Sequence, residues 1–254
     1  MNTSLRITRR LCAATAVAAS VAMTGFAGAG AASAASTGTR STGSPIYTTS
    51  QAGYVTGGRY FRFIASTVRV PYLQFQSGNN GSAELVLGGP GGPPATLRVA
   101  AGGGSGSISY VYKSGMELQT GYLSKVAPAP GELLTLSIYY DQRGHVTFTA
   151  ADPAVHESQA AVVGVVPRYY TAAEAAGVIN NGTVVPPAAD TRLWAFGDTH
   201  VTTYAGLRGT LLGPWTTSQV IDTATGTAAG AVVTKAPVLW NSGQNFGVWL
   251  RPTA

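Results

Sequence analysis

Cysteine is almost missing from this chain: among its 254 residues the only one is Cys12. It falls in an N-terminal stretch that reads as a cleaved export signal. The mature chain is then left without a thiol, which excludes disulfide bracing, thiolate catalysis and cysteine metal sites. Cys12 also precedes the apolar run instead of following it, which argues against a lipid-anchored cysteine. Charge is scarce too, since Asp, Glu, Lys and Arg make up 10% of the chain, against the usual share of about 25%. Three of the sixteen basic residues, Arg6, Arg9 and Arg10, belong to the signal, leaving thirteen against ten acidic ones. A net charge near +3, spread singly with no basic run, gives no electrostatic footprint for a nucleic acid or an anionic lipid surface.

Histidine is the next scarcity, with three in the chain. His156-Glu157-Ser-Gln-Ala160 begins like a zinc-peptidase helix but carries alanine where the second ligand must stand, so the i, i+4 pair that grips zinc is absent. His145 and His200 lie far apart in strand-like segments. No serine is flanked by glycines two positions away on both sides, so the nucleophile elbow is missing. The run Gly102-Gly-Gly-Ser-Gly106 lacks both the dinucleotide spacing and the lysine of a phosphate loop. No metal or cofactor is expected from these motifs.

Long hydrophobic runs are also lacking. The apolar stretch at residues 11–23 is rich in alanine and falls short of the roughly 18 residues of a spanning helix, so the chain is not expected to be membrane-embedded. It follows the three arginines and leads to Ala32-Ser33-Ala34. That tripartite layout predicts cleavage after Ala34 and a secreted, extracellular product. Arg9-Arg10 leaves both the general and the twin-arginine export routes open.

What is abundant is Gly, Thr, Ser, Ala and Val. Residues 35–50 are small, polar and without periodicity, and read as a flexible leader. Residues 51–254 read as one β domain, because short runs such as Tyr60-Phe-Arg-Phe-Ile64, Thr67-Val-Arg-Val70 and Ala83-Glu-Leu-Val-Leu87 alternate with turn residues. The clearest pattern is a hairpin in which Leu134, Leu136, Ile138 and then Val146, Phe148, Ala150 recur at every second position around Asp141-Gln-Arg-Gly144. Further hairpins are predicted at residues 219–233 and 238–250. Thr171-Ala-Ala-Glu-Ala-Ala176 fits either a helix or a strand of small residues. Trp194, Trp215, Trp240 and Trp249, with the twelve tyrosines, fit either core filling or a sugar-stacking surface. The fold class predicted is all-β, a two-sheet antiparallel β-sandwich.

Several segments, read in order, resemble the glutamic peptidases, secreted acid proteases built as a concanavalin-like jelly roll. They are Ala65-Ser-Thr-Val-Arg-Val-Pro71, Ala83-Glu-Leu-Val-Leu-Gly-Gly89, Ala95-Thr-Leu-Arg-Val-Ala100, Ile108-Ser-Tyr-Val-Tyr112, Pro130-Gly-Glu132, Ala173-Glu174, Leu193-Trp-Ala-Phe196 and Val201-Thr-Thr203. The resemblance covers nearly all of the mature chain in order and spacing, with few identities. It implies a catalytic glutamine and glutamate. Glu174 stands at the glutamate's place, Arg98 at the glutamine's, and Glu84 or Leu85 where the family has a tryptophan.

A carboxyl and an amide are needed side by side, one to activate water and the other to stabilise the oxyanion. Arginine at the amide position predicts instead an ion pair, with Arg98 and Glu174 on adjacent strands and Glu174 held ionised. On that reading the protein is a non-catalytic extracellular module that binds polypeptide or carbohydrate. The alternative is a divergent acid endopeptidase using Glu174, with the amide supplied by Gln74, Gln76 or Gln119.

Overall fold

The computed structural model describes residues 42–71, 74–75, 80–89, 94–101, 106–114, 117–180, 184–185, 192–236 and 238–250. The export signal, the start of the leader, the glycine run and Gln76 lie outside the described residues. The strands begin with β1 (Ile46–Thr48), β2 (Gln51–Arg69), β3 (Gln74–Phe75), β4 (Asn80–Gly88), β5 (Ala95–Ala101) and β6 (Ser107–Ser114). They continue with β7 (Glu117–Tyr122), β8 (Leu133–Tyr140), β9 (His145–Asp152), β10 (Glu157–Gly164), β11 (Tyr170–Asn180) and β12 (Val184–Val185). The last are β13 (Arg192–Thr203), β14 (Arg208–Thr210), β15 (Thr216–Thr223), β16 (Val232–Lys235) and β17 (Phe246–Leu250).

One layer runs β7-β6-β5-β4-β11, then the first part of β2, then β15 and β1. The other runs β10-β9-β8, the second part of β2, then β13, β17 and β16. Strand β2 belongs to both. Its first part pairs with β11 and β15, and beyond Gly57-Gly58 it turns to pair with β8 and β13. Gly58 makes the turn at φ 81°, which glycine reaches without a Cβ penalty. The two short runs read from the sequence at 60–64 and 67–70 are therefore parts of one 19-residue strand.

The core between the layers follows the expected alternation. Leu134, Leu136 and Ile138 of β8 and Val146, Phe148 and Ala150 of β9 are all buried. Phe148 stacks across the gap on Tyr110 of β6, ring centroids 5.0 Å apart. Trp194 and Trp215 also fill the core, and Trp240 and Trp249 are half-buried.

Residues 171–176 are strand, in β11, despite their alanines. The ladders of β2 on one side and β4 on the other satisfy that backbone twice over, and Ala173 and Ala175 pack inward. Tertiary pairing overrides helix propensity here.

Two expectations are corrected and one holds. Residues 42–48, read as leader, are tied to the sheet: Gly43 N–H donates to Thr217 O at 2.7 Å, and β1 pairs in parallel with β15. Their small polar side chains conceal backbone bonding that composition does not report. Residues 238–250 form no regular hairpin, because β17 pairs with β13 and β16 while Trp240 and Asn245 share a single bridge around the 3-10 turn Asn241–Gly243. The hairpin at 219–233 is present as β15 and β16.

Candidate functional site

β11 stands between β2 and β4, and β5 lies beyond β4. In register, Glu174 is opposite Val86 of β4, and Val86 is opposite Thr96 of β5. Two residues along, Glu84 of β4 faces Ala176 on one side and Arg98 of β5 on the other. Strand alternation puts Glu174, Glu84, Val86, Thr96 and Arg98 on one face, because the intervening Ala173, Ala175, Leu85, Leu97 and Val99 are in the core. That face is hollowed into a cleft of about 380 Å³, lined by Gln51, Glu84, Val86, Pro94, Thr96 and Glu174, with Gly88, Gly89 and Ala172 at its edge.

The charges are not arranged as the sequence suggested. Arg98 and Glu174 do share a face, but β4 intervenes, so they come from strands two apart. Glu84 occupies the intervening place and takes the guanidinium, with Arg98 Nη2 2.5 Å from Glu84 Oε1. Glu84 is 4% exposed, whereas the Arg98 side chain is 39% exposed. Ser82 Oγ adds a long donation to Glu84 Oε1 at 3.5 Å. Burial pushes the Glu84 carboxyl up, and Arg98 opposes that shift.

Glu174 is consequently raised and not depressed. Burial first, and then the charge of Glu84, push its carboxyl up to about 7. Two carboxyls in one site do this to each other, since the second cannot ionise cheaply beside the first. No described side chain donates a hydrogen bond to Glu174, so the expected Arg98–Glu174 ion pair is replaced by an Arg98–Glu84 pair beside a carboxyl whose pKa burial and the charge of Glu84 raise to about 7.

Of the glutamines proposed as amide donors, the structure describes the side chain of Gln119 alone, and it turns away from Glu174. Gln119 lies opposite Tyr112 in the β6–β7 ladder and donates to Gly164 O of β10 at 3.4 Å, toward the other layer. Gln74 sits in β3, which among the described residues pairs only with β12, and Gln76 lies outside them.

Sequence reasoning missed Gln51, which lines the cleft, because the leader was taken to run to its neighbour. The signal was there in Gln51-Ala-Gly-Tyr-Val-Thr56, where Ala52, Tyr54 and Thr56 alternate inward. The Glu84–Arg98 pair was missed as well, although opposite charges on consecutive strands across the turn at 89–94 signal cross-strand pairing.

Among the described residues no three His, Cys, Asp or Glu side chains gather to hold a metal ion. What the cleft offers is a carboxylic acid able to donate one hydrogen bond, an amide side chain, and apolar walls at Val86 and Pro94. Replacing Arg98 with Gln should destabilise the domain at pH 7 by about 1–2 kcal/mol, less than for a fully buried pair because the guanidinium is partly solvated. The loss should vanish at pH 3, where Glu84 is protonated. Chemical denaturation at the two pH values measures both, and equal losses at both would show that the pair is not the cause.

No protein-family model and no curated sequence matches the chain. Solved structures do. Scytalidoglutamic peptidase bound to a peptide-based transition-state analogue superimposes with a TM-score of 0.61 at 15% identity, over 81% of this chain and 100% of that one. The same peptidase with another transition-state analogue inhibitor gives 0.61 at 16%, with the same coverage. SCP-B, an eqolisin-family peptidase in complex with the tripeptide Ala-Ile-His, gives 0.53 at 16%, again over 81% of this chain and 100% of that chain. At such identity the likeness is one of architecture. Together with the two-layer strand order, it makes this chain an all-β sandwich of glutamic-peptidase-like fold and divergent sequence.

Proposed function

We propose that the chain is an exported, non-catalytic relative of the glutamic peptidases whose cleft binds extended polypeptide. The observation that carries this reading is the capture of Arg98 by Glu84, which leaves Glu174 facing the cleft with no described side chain donating to it. Hydrolysis at acid pH needs a group that accepts a proton from water and a donor aimed at the oxyanion. A carboxyl that keeps its proton up to about pH 7 does not accept one at pH 2–5. It can instead donate to a peptide carbonyl. The peptide ligands of the structurally similar peptidases support polypeptide as the ligand class.

Gln51 favours a second reading, an acid endopeptidase using Glu174, because it lines the same cleft. One preparation tests both. Protein recovered from the medium of an exporting host should begin near Ala35 by intact mass. Incubated with an unfolded protein at pH 2–5, it should release no peptides detectable by mass spectrometry, yet an immobilised unfolded polypeptide should retain it. Peptide release that disappears in Glu174→Gln and Gln51→Ala establishes the peptidase reading instead. A cell-bound chain that keeps Arg9 and Arg10 overturns export.

A further inference from the structure

A second surface lies where β2 bends from one layer to the other. Tyr60 is 53% exposed and Tyr169 is 67% exposed, and their ring centroids are 4.9 Å apart. Both pack on Tyr204, at 6.3 Å and 5.2 Å. Tyr204 is held firmly. Its N–H donates to Tyr60 O at 2.9 Å, its hydroxyl donates to Arg168 O, and its own carbonyl accepts from Gln142 Nε2 at 3.2 Å. Behind it the rings of Tyr140 and Tyr170 continue into the core. Burial accounts for Tyr140 and Tyr170; it does not account for two large rings left mostly in water on a rigid base.

The segments that meet there carry cations. Arg59 precedes Tyr60, Arg143 follows the Gln142 that holds Tyr204, and Arg208 follows the turn that Tyr204 begins; all three residues are exposed. The segment before Tyr169 is fastened to the same corner, with Val165 N–H donating to Gly144 O at 2.7 Å. The one carboxylate on these segments, Asp141, is already occupied by His145 Nδ1 at 2.8 Å and by the N–H groups of Arg143 and His145. The corner is thus a preorganised cluster in which the exposed rings of Tyr60 and Tyr169 stand at 39° to each other, and its arginines have no acidic partner among the described residues.

We propose that this corner binds an anionic polysaccharide, with pyranose rings on Tyr60 and Tyr169 and acidic groups paired with Arg59, Arg143 and Arg208. A ring face offers a flat apolar surface that matches the apolar face of a pyranose, with the phenol hydroxyl at the edge for sugar hydroxyls. Guanidinium matches carboxylate and sulfate in a planar fork. A stiff polymer meeting rings already fixed in place loses little freedom on binding. The proposal does not depend on what the cleft binds.

Affinity electrophoresis through gels containing polygalacturonate, with neutral dextran as the comparison, tests it. The protein should be retarded by polygalacturonate and not by dextran. Tyr60→Ala with Tyr169→Ala should weaken retardation by about tenfold or more, which corresponds to about 1.4 kcal/mol, while Tyr169→Phe keeps the ring and the binding. Arg143→Gln with Arg208→Gln should weaken it and flatten its dependence on salt. The arginine pair decides the question even if the double alanine variant folds poorly. Absence of retardation, equal retardation by dextran, or retardation unchanged in the tyrosine and arginine variants overturns the proposal.

Discussion

Replacing Glu174 with Gln should stabilise the domain at pH 8 by about 2–3 kcal/mol and leave it almost unchanged at pH 4. The carboxyl rises from an ordinary 4.5 in the unfolded chain to about 7 in the fold. Between those values the native state holds a proton that the unfolded state has given up. Stability is therefore fully present below pH 4.5 and declines as pH rises through 7. A shift of that size corresponds to roughly 3 kcal/mol, and the contact of Glu174 with the solvent of the cleft trims it. Glutamine carries no proton and removes this decline, leaving the shallower one that buried Glu84 contributes in the same direction. Melting curves between pH 4 and pH 8 should show the variant ahead by about 5–10 °C at the alkaline end. Parallel curves for the two proteins across that range would mean that Glu174 is ionised in the native fold, so that the cleft would hold two charged carboxylates instead of one beside a protonated acid.

Phe148→Ala should cost about 3–5 kcal/mol, as large-to-small changes in a packed core do. Phe148 is fully buried at the middle of β9. It is opposite Ile138 of β8 and Ala161 of β10, and it stacks on Tyr110 from the other layer at an interplanar angle of 18°. Truncation removes the contact that spans the two layers, and neither ladder can shift inward without breaking its own hydrogen bonds. Urea unfolding measures the loss. A change below about 1 kcal/mol would place Phe148 at a site able to collapse, contrary to its position here.

Much of the fold was legible because β-strands write their burial into the sequence at period two. Leu134, Leu136 and Ile138 alternate with more exposed neighbours, and so do Val146, Phe148 and Ala150. The same rule was silent where backbone pairing, not side chains, does the holding. Ile46–Thr48 and the alanines of β11 belong to the sheets through ladders that no side chain announces.

The site was legible in part for a related reason. Position along a strand fixes which face a residue takes, so Arg98 and Glu174 could be assigned to one surface. Which strand lies between two others is a matter of long-range order, and that order put Glu84 between Arg98 and Glu174. Which of the twelve tyrosines would gather was illegible, since Tyr60, Gln142, Tyr169 and Tyr204 are brought together only by the fold.

The shared strand β2 also sets how the chain must assemble. Its bonds reach far along the sequence: Thr56 Oγ1 donates to Ala173 O across 117 residues, and Tyr54 OH to Ala236 O across 182. Neither layer can close around β2 until the last quarter of the chain has emerged. Contacts this distant make folding slow, on the scale of milliseconds to seconds, and leave a long, half-apolar strand waiting for partners. Synthesis from the N-terminus thus presents β2 before nearly all of its partners and completes its pairing last.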